Sequence, residues 1–513
     1  MQFKKTILLG KIKSAWFPTD QSKYIFLLIF VISLLALVLR VWGISNKEFW
    51  YDEAYTGILA NLPFNQFTQV FKYDVHPPLY ITILRSWILI FGNSDLAIRM
   101  FSVFSGVLLI PASYFLASGL NIAKKRPSIK FIVPLIFAVN PFFVEYAKEA
   151  RDYSLTALMF SVLFIFYYST SKTRHLNLKW VATSLIIVAT FLTHYLTIIG
   201  IIFLFLFDLF FANKKSLAKT LLIYLTTIGI FSGFMVLYLP TLLTQYQNAP
   251  LLGWIPISQP QRLATTIYIF LFGVKTNSLG VPPALKLSPY IQPEALGFII
   301  LTIFSLSLGY YFGKKYQLFR KDLILLSFIS ILPILTVMGL QIFNKRLFLE
   351  RYLTPYAVVF IVLCITLSLN LKRIYKYSFL TLYIFTSLYL ITTIHYESTG
   401  FAQLTEKLQV LNTPNVQLIV SNPIEFVVAK YYLASKPNIK VRIYNPKENY
   451  DSWEVIQKSE VMKNYSELDG KQRIFVYDNS KKPDIWYRQS VNIGKLYVYS
   501  TLPIFDTSLA FKK

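Results

Sequence analysis

Residues 48–55 read EFWYDEAY, and residues 74–78 read DVHPP. The adjacent carboxylates Asp52 and Glu53 follow shortly after an apolar segment that is long enough to cross a bilayer. A second aspartate and a histidine come one short loop later. Because most of the chain is apolar, such a group of ionisable residues beside a membrane surface predicts a functional site.

The composition predicts an α-helical polytopic membrane protein. The chain has 513 residues, of which 55% are hydrophobic and only 15% are charged, and its mean hydropathy of +0.50 is too high for a soluble globular protein. Aromatic residues make up 17%, which suits a chain with many helix ends at lipid interfaces. The single cysteine, Cys364, lies in an apolar run, so the sequence indicates neither an internal disulfide nor a cysteine-based metal site.

The net charge of +26 predicts contact with membrane lipids and does not indicate nucleic acid as a partner. In a soluble protein this charge would suggest nucleic-acid binding. Here the Lys and Arg residues cluster in short loops between apolar runs, where they fix the topology and meet anionic headgroups. We therefore predict a multi-pass protein of the bacterial inner (plasma) membrane.

Eleven membrane spans are predicted. The segment 79–91 is only 13 residues long and contains Arg85, so it is interpreted as a juxtamembrane or re-entrant segment that does not cross. With that choice, the predicted cytoplasmic segments carry 22 Lys and Arg residues and the opposite segments before residue 397 carry 11. The predicted spans are 24–42, 96–120, 131–146, 153–170, 180–194, 196–212, 220–239, 295–313, 323–343, 355–371 and 378–396.

Three regions follow from this topology: a cytoplasmic N-terminus at 1–23, a transmembrane domain at 24–396, and a small extracytoplasmic α/β domain at 397–513. The transmembrane domain has two long outer loops, 43–95 and 240–294. The second is rich in proline and is predicted to act as a lid, because long loops are often functional. In the last region, strands are predicted at Val416–Val420, Val441–Tyr444, Arg473–Tyr477 and Lys495–Tyr499, and a helix at 423–435.

One consequence was not built into the topology. Four polar motifs, which are spread over about three hundred residues, all fall on the predicted extracytoplasmic side. They are residues 50–53, 74–78, 149–153 and 350–352.

The acidic residues and the histidine are candidates for acid–base chemistry. A carboxylate near a low-dielectric region binds a proton more tightly, which suits a general base. Asp52 and Glu53 are therefore the catalytic candidates, one acting and the other supporting it, although a solvated pair at a helix N-terminus is an alternative. His76 is predicted to contact a phosphate or the substrate, oriented by Asp74, with a backbone-satisfied turn histidine as the alternative.

Cationic residues on the predicted outer face are candidates for phosphate binding, because the positive-inside rule disfavours them there. A guanidinium binds phosphate in a bidentate manner, whereas lipid headgroups are the rival ligand. Arg99 is the weakest member, Tyr352 is predicted to support the site, and His194 and Arg40 are interpreted as structural. The cations are Lys148, Arg151, Arg351, Lys345, Arg346 and Arg99.

Several cofactor signatures are missing from the sequence. It has no glycine-rich phosphate loop, no Cys or His zinc spacing and no nucleotide fingerprint. Carboxylates with phosphate-binding cations at the outer leaflet therefore indicate a lipid-phosphate substrate. Asp52 and Glu53 could also hold a divalent cation, but two residues do not make a site, so the metal requirement stays open.

The order of these motifs resembles that of membrane glycosyltransferases of the GT-C fold, in particular the protein O-mannosyltransferases and the aminoarabinose (lipid A) transferases of glycosyltransferase families 39 and 83. The resemblance covers about residues 24–360, and each motif alone is weaker than the ordered set. The motifs are Trp-Tyr-Asp-Glu at 50–53, Asp-Val-His-Pro-Pro-Leu at 74–79, Asn140-Pro141, Glu-Ala-Arg-Asp-Tyr at 149–153, and Arg351-Tyr352 with Pro355.

The resemblance implies that the chain transfers a sugar, with inversion, from a polyprenyl-phosphate donor to a lipid, glycan or protein acceptor on the extracytoplasmic side. The family's first-loop aspartate falls on Asp52, and its His-Pro-Pro segment falls on residues 76–78. The chain has His where the aminoarabinose transferases have Lys, and it lacks their Gly-Lys after the proline pair. The sugar and the acceptor therefore stay open.

A transporter or flippase of lipid-linked saccharide is the rival function class. Such a protein needs ionisable residues at the bilayer midplane and broken helices there. In this sequence the charges lie at one predicted face and the spans are mostly free of them. The pattern favours the enzyme.

Overall fold

A computed structural model describes residues 20–171, 178–211, 214–248, 255, 257–258, 262–273, 320–343, 346–393, 400–404, 416–420, 423–434, 438–444, 455–456, 458–462, 472–477, 489–493 and 496–500. Several predictions lie outside these residues. They are most of the N-terminal segment, the span 295–313, the later part of the predicted lid, and Lys345.

The described chain up to Thr393 is helical. Up to residue 171 its helices are α1 (Asp20–Val41), α2 (Tyr51–Asn61), α3 (Phe64–Phe71), α4 (Pro78–Phe91), α5 (Asp95–Gly119), α6 (Ile122–Lys125), α7 (Ile129–Val139), α8 (Pro141–Ala147) and α9 (Tyr153–Ser171). They continue with α10 (Leu178–Phe191), α11 (Thr197–Phe211), α12 (Lys214–Asn248), α13 (Arg262–Phe272), α14 (Arg320–Gly339), α15 (Thr354–Ser368) and α16 (Arg373–Thr393).

Within the described chain, six helices are long and apolar enough to cross a membrane, or seven if the bent pair α7–α8 forms one span. The eleven predicted spans outnumber these helices, partly because the predicted span 295–313 lies outside the described residues. Three further predicted spans correspond to α9, α10 and α11, which are shorter apolar helices. Helices of 14 and 15 residues, such as α10 and α11, are only about 22 Å long, against a hydrocarbon core of about 30 Å.

The predicted span 131–146 is two helices bent by 54° at Asn140–Pro141. Proline has no N–H, so the carbonyl of Phe137 loses its helical partner. Arg40, which is fully buried, donates hydrogen bonds to the carbonyls of Phe137 and Ala138 at 3.1 Å each. The break is therefore stabilised by a cation at the C-terminal end of a helix dipole.

Asn140 fixes the same break from the other side. Its side-chain oxygen caps α8 by accepting the Phe143 N–H, and its amide nitrogen donates to the carbonyl of Phe270 (2.9 Å) and to the hydroxyl of Tyr383 (2.8 Å). One fully buried side chain thus joins α8, α13 and α16.

Replacing Asn140 with Ala is expected to lower the free energy of unfolding by about 2–3 kcal/mol, because it removes a helix cap and leaves buried groups without partners. Asn93→Ala is the control, since exposed Asn93 makes one side-chain hydrogen bond, to Asn61, and should change stability by less than about 0.5 kcal/mol. Unfolding in mixed detergent micelles measures both. Equal stability of the two variants would contradict the role of Asn140.

The predicted lid is largely fixed where the structure describes it. Helix α12 extends to Asn248, because Pro240 removes one hydrogen bond without ending the helix. The apolar piece from Leu263 to Phe272 is the buried helix α13 and packs inside the helical bundle. Its first residue, Arg262, forms a bidentate ion pair with Glu350 at 2.9 Å for both bonds.

The C-terminal region forms a mixed sheet with one described helix, α17 (Pro423–Leu433). The strands are β1 (Val416–Val420), β2 (Ile439–Tyr444), β3 (Val461–Met462), β4 (Gln472–Tyr477), β5 (Gln489–Ile493) and β6 (Leu496–Ser500), in the order β3-β2-β1-β4-β6-β5. The first four in that order are parallel, and β6 pairs antiparallel with β4 and β5. The α/β content is confirmed, whereas β3 and β5 were not predicted.

Two apolar cores hold the molecule together. The larger lies within the helical bundle around α15, which is buried on nearly all sides. The second includes Phe49 and residues of α2, α3 and α4 together with Phe426 and Val427 of α17. The helices that follow the first span therefore share one core with the C-terminal domain.

Candidate active site

Asp52 lies in the first turn of α2, where the helix dipole favours a carboxylate. Its Oδ2 atom is 3.5 Å from Nη1 of Arg351, and 19% of the side chain is exposed. Of the two adjacent acids, Asp52 is the one that a substrate can reach.

Glu53 is fully buried and serves a different purpose. Its two carboxylate oxygens accept hydrogen bonds from Nε and Nη2 of Arg99, at 2.8 Å each. Oε1 also accepts a hydrogen bond from the Ala150 N–H. Burial alone would raise the pKa of Glu53, but Arg99 and Lys47 outweigh it and hold the pKa below its ordinary value. This geometry disagrees with a catalytic role and indicates that Glu53 ties α2 to α5.

Arg99 does not fit its predicted role in phosphate binding. The side chain is 1% exposed, and each of its five N–H groups has an acceptor in the protein. Besides Glu53, these acceptors are the carbonyls of Ile44, Lys47 and Glu48. No donor is left for a substrate, so Arg99 fixes the segment before α2.

Lys148 also departs from the prediction. Its ammonium donates to the carbonyl of Trp42 at 2.7 Å, and the residue is 1% exposed. Burial lowers its pKa to about 8. Through this bond Lys148 joins the segment that follows α8 to the end of the first span.

Asp74, His76 and Arg151 form a hydrogen-bonded chain. Asp74 Oδ1 is 2.7 Å from Nδ1 of His76, and Nε2 of the same ring is 2.6 Å from Nη2 of Arg151. Arginine can only donate, so Nε2 is the acceptor and the imidazole proton resides on Nδ1, facing Asp74. His76 therefore orients Arg151, and its ring has no free nitrogen to offer a phosphate in this arrangement.

Arg151 is the centre of this chain. Its Nη1 atom donates to the hydroxyl of Thr56 (3.1 Å) and approaches the carbonyl of Asp52 (3.4 Å). Its Nε atom is buried and has no hydrogen-bond partner among the residues that the structure covers. Burial disfavours the charge, but Asp52, Asp152 and Asp74 outweigh it and raise the pKa. Arg151 is thus a fixed cation with a donor to spare.

Arg351 contacts the carboxylate of Asp52, whereas Arg151 contacts its carbonyl. Its guanidinium lies 5.2 Å from the ring centroid of Trp50 and 5.6 Å from that of Tyr352, so two aromatic faces limit its movement. The preceding residue, Glu350, carries the ion pair to Arg262. Helix α13 therefore fixes the turn that presents Arg351.

Four residues that were not predicted as site residues also lie here: Thr56, Asp152, Tyr153 and His194. Thr56 follows Asp52 by one helical turn, so proximity in sequence was its only signal, whereas Asp152 and Tyr153 belong to the polar motif 149–153 and directly follow Arg151. The Tyr153 phenol is within electrostatic reach of Arg351, Arg151 and Asp52.

His194 lies in the turn between α10 and α11, and its ring centroid is 5.3 Å from that of Tyr352. Burial lowers the pKa of His194 to about 4, so the imidazole is neutral at pH 7. Its Nδ1 accepts the Leu196 N–H, which leaves the proton on Nε2. The sequence interpretation of His194 as structural did not place it beside the site.

Several buried polar atoms around Asp52 lack a hydrogen-bond partner in the described part of the chain. Native proteins rarely leave such atoms unpaired unless water or a ligand completes them. These atoms are Nε1 of Trp50, Nε of Arg151, Oδ2 of Asp152 and Oη of Tyr153. The arrangement is one reachable carboxylate between two guanidiniums, with spare donors and acceptors around it.

No metal-binding group is evident in the described ranges, where no three His, Cys, Asp or Glu side chains come together in a suitable way. Asp52 faces guanidiniums, and Glu53 is occupied by Arg99. The two carboxylates that the sequence offered as cation ligands therefore point to different partners.

The solved structures to which the chain is similar include the following three. They are ArnT from Cupriavidus metallidurans bound to undecaprenyl phosphate (13% identity, TM-score 0.44, 96% of this chain and 99% of that one), an Archaeoglobus fulgidus oligosaccharyltransferase (12%, 0.47, 79% and 61%) and the S. cerevisiae protein O-mannosyltransferase Pmt1–Pmt2 complex (16%, 0.35, 46% and 35%). The chain thus spans about three fifths of the oligosaccharyltransferase.

No family model and no curated protein sequence matches the chain.

Proposed function

We propose that this chain is a membrane glycosyltransferase that moves a sugar from a polyprenyl-phosphate donor to an acceptor hydroxyl on the extracytoplasmic side, with inversion at the anomeric carbon. The observation that carries the proposal is Asp52, a reachable carboxylate 3.5 Å from Arg351 and within electrostatic reach of Arg151. The sequence motifs that resemble the GT-C glycosyltransferases supply these same three residues.

Asp52 serves as the general base. It accepts the proton of the acceptor hydroxyl as the oxygen attacks the anomeric carbon, and the bond from that carbon to the phosphate oxygen breaks. The transition state has oxocarbenium character, and inversion follows from attack opposite the leaving group. The products are the glycosylated acceptor, polyprenyl phosphate and protonated Asp52, which then loses its proton to solvent.

Arg151 and Arg351 stabilise the departing phosphate. Negative charge grows on its oxygens as the bond breaks, and fixed cations in a water-poor site stabilise that charge without having to reorganise. His76 contributes by holding Arg151, since its Nε2 accepts from that guanidinium. This is a change from the direct phosphate contact that the sequence suggested for His76.

A transfer assay tests the function. Purified protein or membranes are incubated with a radiolabelled polyprenyl-phosphate sugar, and label in the acceptor fraction is counted. Transfer supports the enzyme. Movement of the labelled lipid between leaflets of a proteoliposome without transfer would support the rival transporter and overturn the proposal.

Replacing Arg351 with Gln is expected to lower kcat/KM for the donor by about 10²-fold, because one of the two phosphate-facing cations is lost. The matched control is Arg373→Gln, which makes the same change at an exposed position at the start of α16 and should leave the rate unchanged. Initial rates over a range of donor concentrations give kcat/KM for both variants. Equal rates for both variants would remove Arg351 from the mechanism.

A further inference from the structure

Two tyrosines of the C-terminal domain contact the segment that leads into Asp52. Tyr432 Oη accepts the Phe49 N–H at 2.7 Å and donates to Asp95 Oδ2 at 2.8 Å. Tyr431 Oη donates to the other oxygen of the same carboxylate, at 2.9 Å. One carboxylate at the start of α5 therefore binds both phenols, and one phenol binds the backbone three residues before the proposed base.

The Phe49 ring is enclosed between the two parts of the molecule. It stacks on Tyr431 with a centroid distance of 4.9 Å, and the Arg99 guanidinium lies 4.6 Å from its centroid. Phe49 is fully buried. Its backbone and its ring are thus both fixed by α17, while Arg99 holds the carbonyls of Ile44, Lys47 and Glu48, which precede it.

Gly57 explains how the two helices approach so closely. A Cβ atom at this position would lie 2.4 Å from Cε2 of Tyr431. Glycine inside a helix costs about 1 kcal/mol relative to alanine, so a glycine in the middle of α2 has a packing reason. The Tyr431 ring lies directly against the helix whose first turn carries Asp52.

A further contact joins the same two regions. The N–H of Gly400 donates to Oε2 of Glu48 at 2.8 Å. Asp95 and Arg99 are one turn apart on α5, so a single face of that helix binds the tyrosines of α17 and also the segment 44–53.

We propose that Tyr431 and Tyr432 are positioning residues, through which the C-terminal domain holds α2 so that Asp52 stays in place for proton transfer. This inference rests on the proposed function, because it assigns a purpose to the placement of the base. Misplacing a reacting group by about 1 Å can cost 10²-fold in rate, so a contact distant from the chemistry can still control it.

The first experiment does not depend on activity. Hydrogen exchange of residues 48–61 is measured in the full-length wild type and in Tyr432→Phe, which leaves the buried Phe49 N–H without its acceptor. Exchange in this segment is expected to be about tenfold faster in the variant, with little change in the bundle helix α15. Tyr375→Phe, the same change at an exposed position, is the control and should behave as the wild type.

The second experiment separates positioning from general stability. The double variant Tyr431→Phe/Tyr432→Phe is expected to bind undecaprenyl phosphate with the wild-type affinity and with an unchanged number of sites per chain, while kcat falls about 10²-fold. A loss of folded protein would instead reduce the number of sites in proportion to the rate. That outcome, or a wild-type kcat, would overturn the inference.

A steric test gives independent support. Gly57→Ala should lower kcat because its methyl group displaces Tyr431. A wild-type kcat in Gly57→Ala would contradict the contact. If the wild type transfers no sugar, the proposed function fails, and the exchange measurement alone decides whether the tyrosines hold α2.

Discussion

Replacing Asp52 with Asn is expected to lower sugar transfer by about 10³-fold while the protein still binds the lipid phosphate. Asparagine keeps the size of the side chain but cannot accept the proton of the acceptor hydroxyl. The carboxylate is the reachable acid of the pair and lies 3.5 Å from Arg351, so its loss removes the base without opening a cavity. Transfer is followed with the radiolabelled donor, and binding with undecaprenyl phosphate as the probe.

The matched control for this prediction is Asp208→Asn. Asp208 lies on α11, eleven residues after Thr197 and therefore about 16 Å along the helix, where it accepts hydrogen bonds from Tyr167 and Thr220. The Asp208→Asn variant makes the same chemical change away from the site, and its transfer rate should stay within about twofold of the wild-type rate. Full transfer by the Asp52 variant would rule out the base assignment.

The second large effect is expected for Arg99→Met. Methionine leaves the Glu53 carboxylate buried beside Lys47 alone and removes the donors to three carbonyls, so the free energy of unfolding should fall by about 3–5 kcal/mol. Adding Glu53→Gln should recover part of this, because the uncompensated charge is then gone. Unfolding in mixed micelles measures each variant and gives the coupling between the two sites.

Arg85→Met is the control for this substitution. Arg85 donates to the carbonyls of Leu59 and Ala60 at the other end of α2, without a buried acid beside it. Its loss should cost less than about 1.5 kcal/mol. If both arginines cost the same, the ion pair with Glu53 contributes nothing beyond its hydrogen bonds.

The same pair predicts opposite responses to acid. In the wild type the pKa of Glu53 is held below the ordinary value of 4.5, so its contribution to stability is fully present above pH 4.5 and is lost as pH falls through the folded pKa. Without Arg99, burial is expected to raise the pKa of Glu53 above its ordinary value. The buried carboxyl group then destabilises the fold as pH rises and it loses its proton. The Arg99→Met variant should therefore gain stability between pH 7 and 5, where the wild type does not.

The sequence predicted the regular elements well where one local signal sufficed. The strand at Val416–Val420 and the first span follow from continuous apolar runs, and the non-crossing segment 79–91 corresponds to the helix Pro78–Phe91. The break at Asn140–Pro141 was hidden, because apolar residues lie on both sides of it. Two short helices, α10 and α11, were read as spans for the same reason.

The candidate site was predicted at the level of segments and not of individual atoms. Successive side chains of a helix point about 100° apart. The adjacency of Asp52 and Glu53 therefore could not show which of them faces Arg99 and which faces Arg151 and Arg351. Arg99 and Lys148 have the right charge, but only the folded chain shows that Arg99 binds Glu53 and three carbonyls and that Lys148 binds the carbonyl of Trp42. His194 reaches the site through a turn that is more than a hundred residues away in sequence from Tyr352, the ring that it contacts.

The bend at Pro141 has a consequence for how sequences of this kind can diverge. Helix α8 leaves the bend at 54° and ends at Ala147, and Arg151 follows within one turn. Inserting or deleting one residue there would rotate everything after it by about 100° and shift it by about 1.5 Å. In an alignment of chains with the same activity, the spacing from Pro141 to Arg151 should stay free of gaps even where the residues between them are replaced.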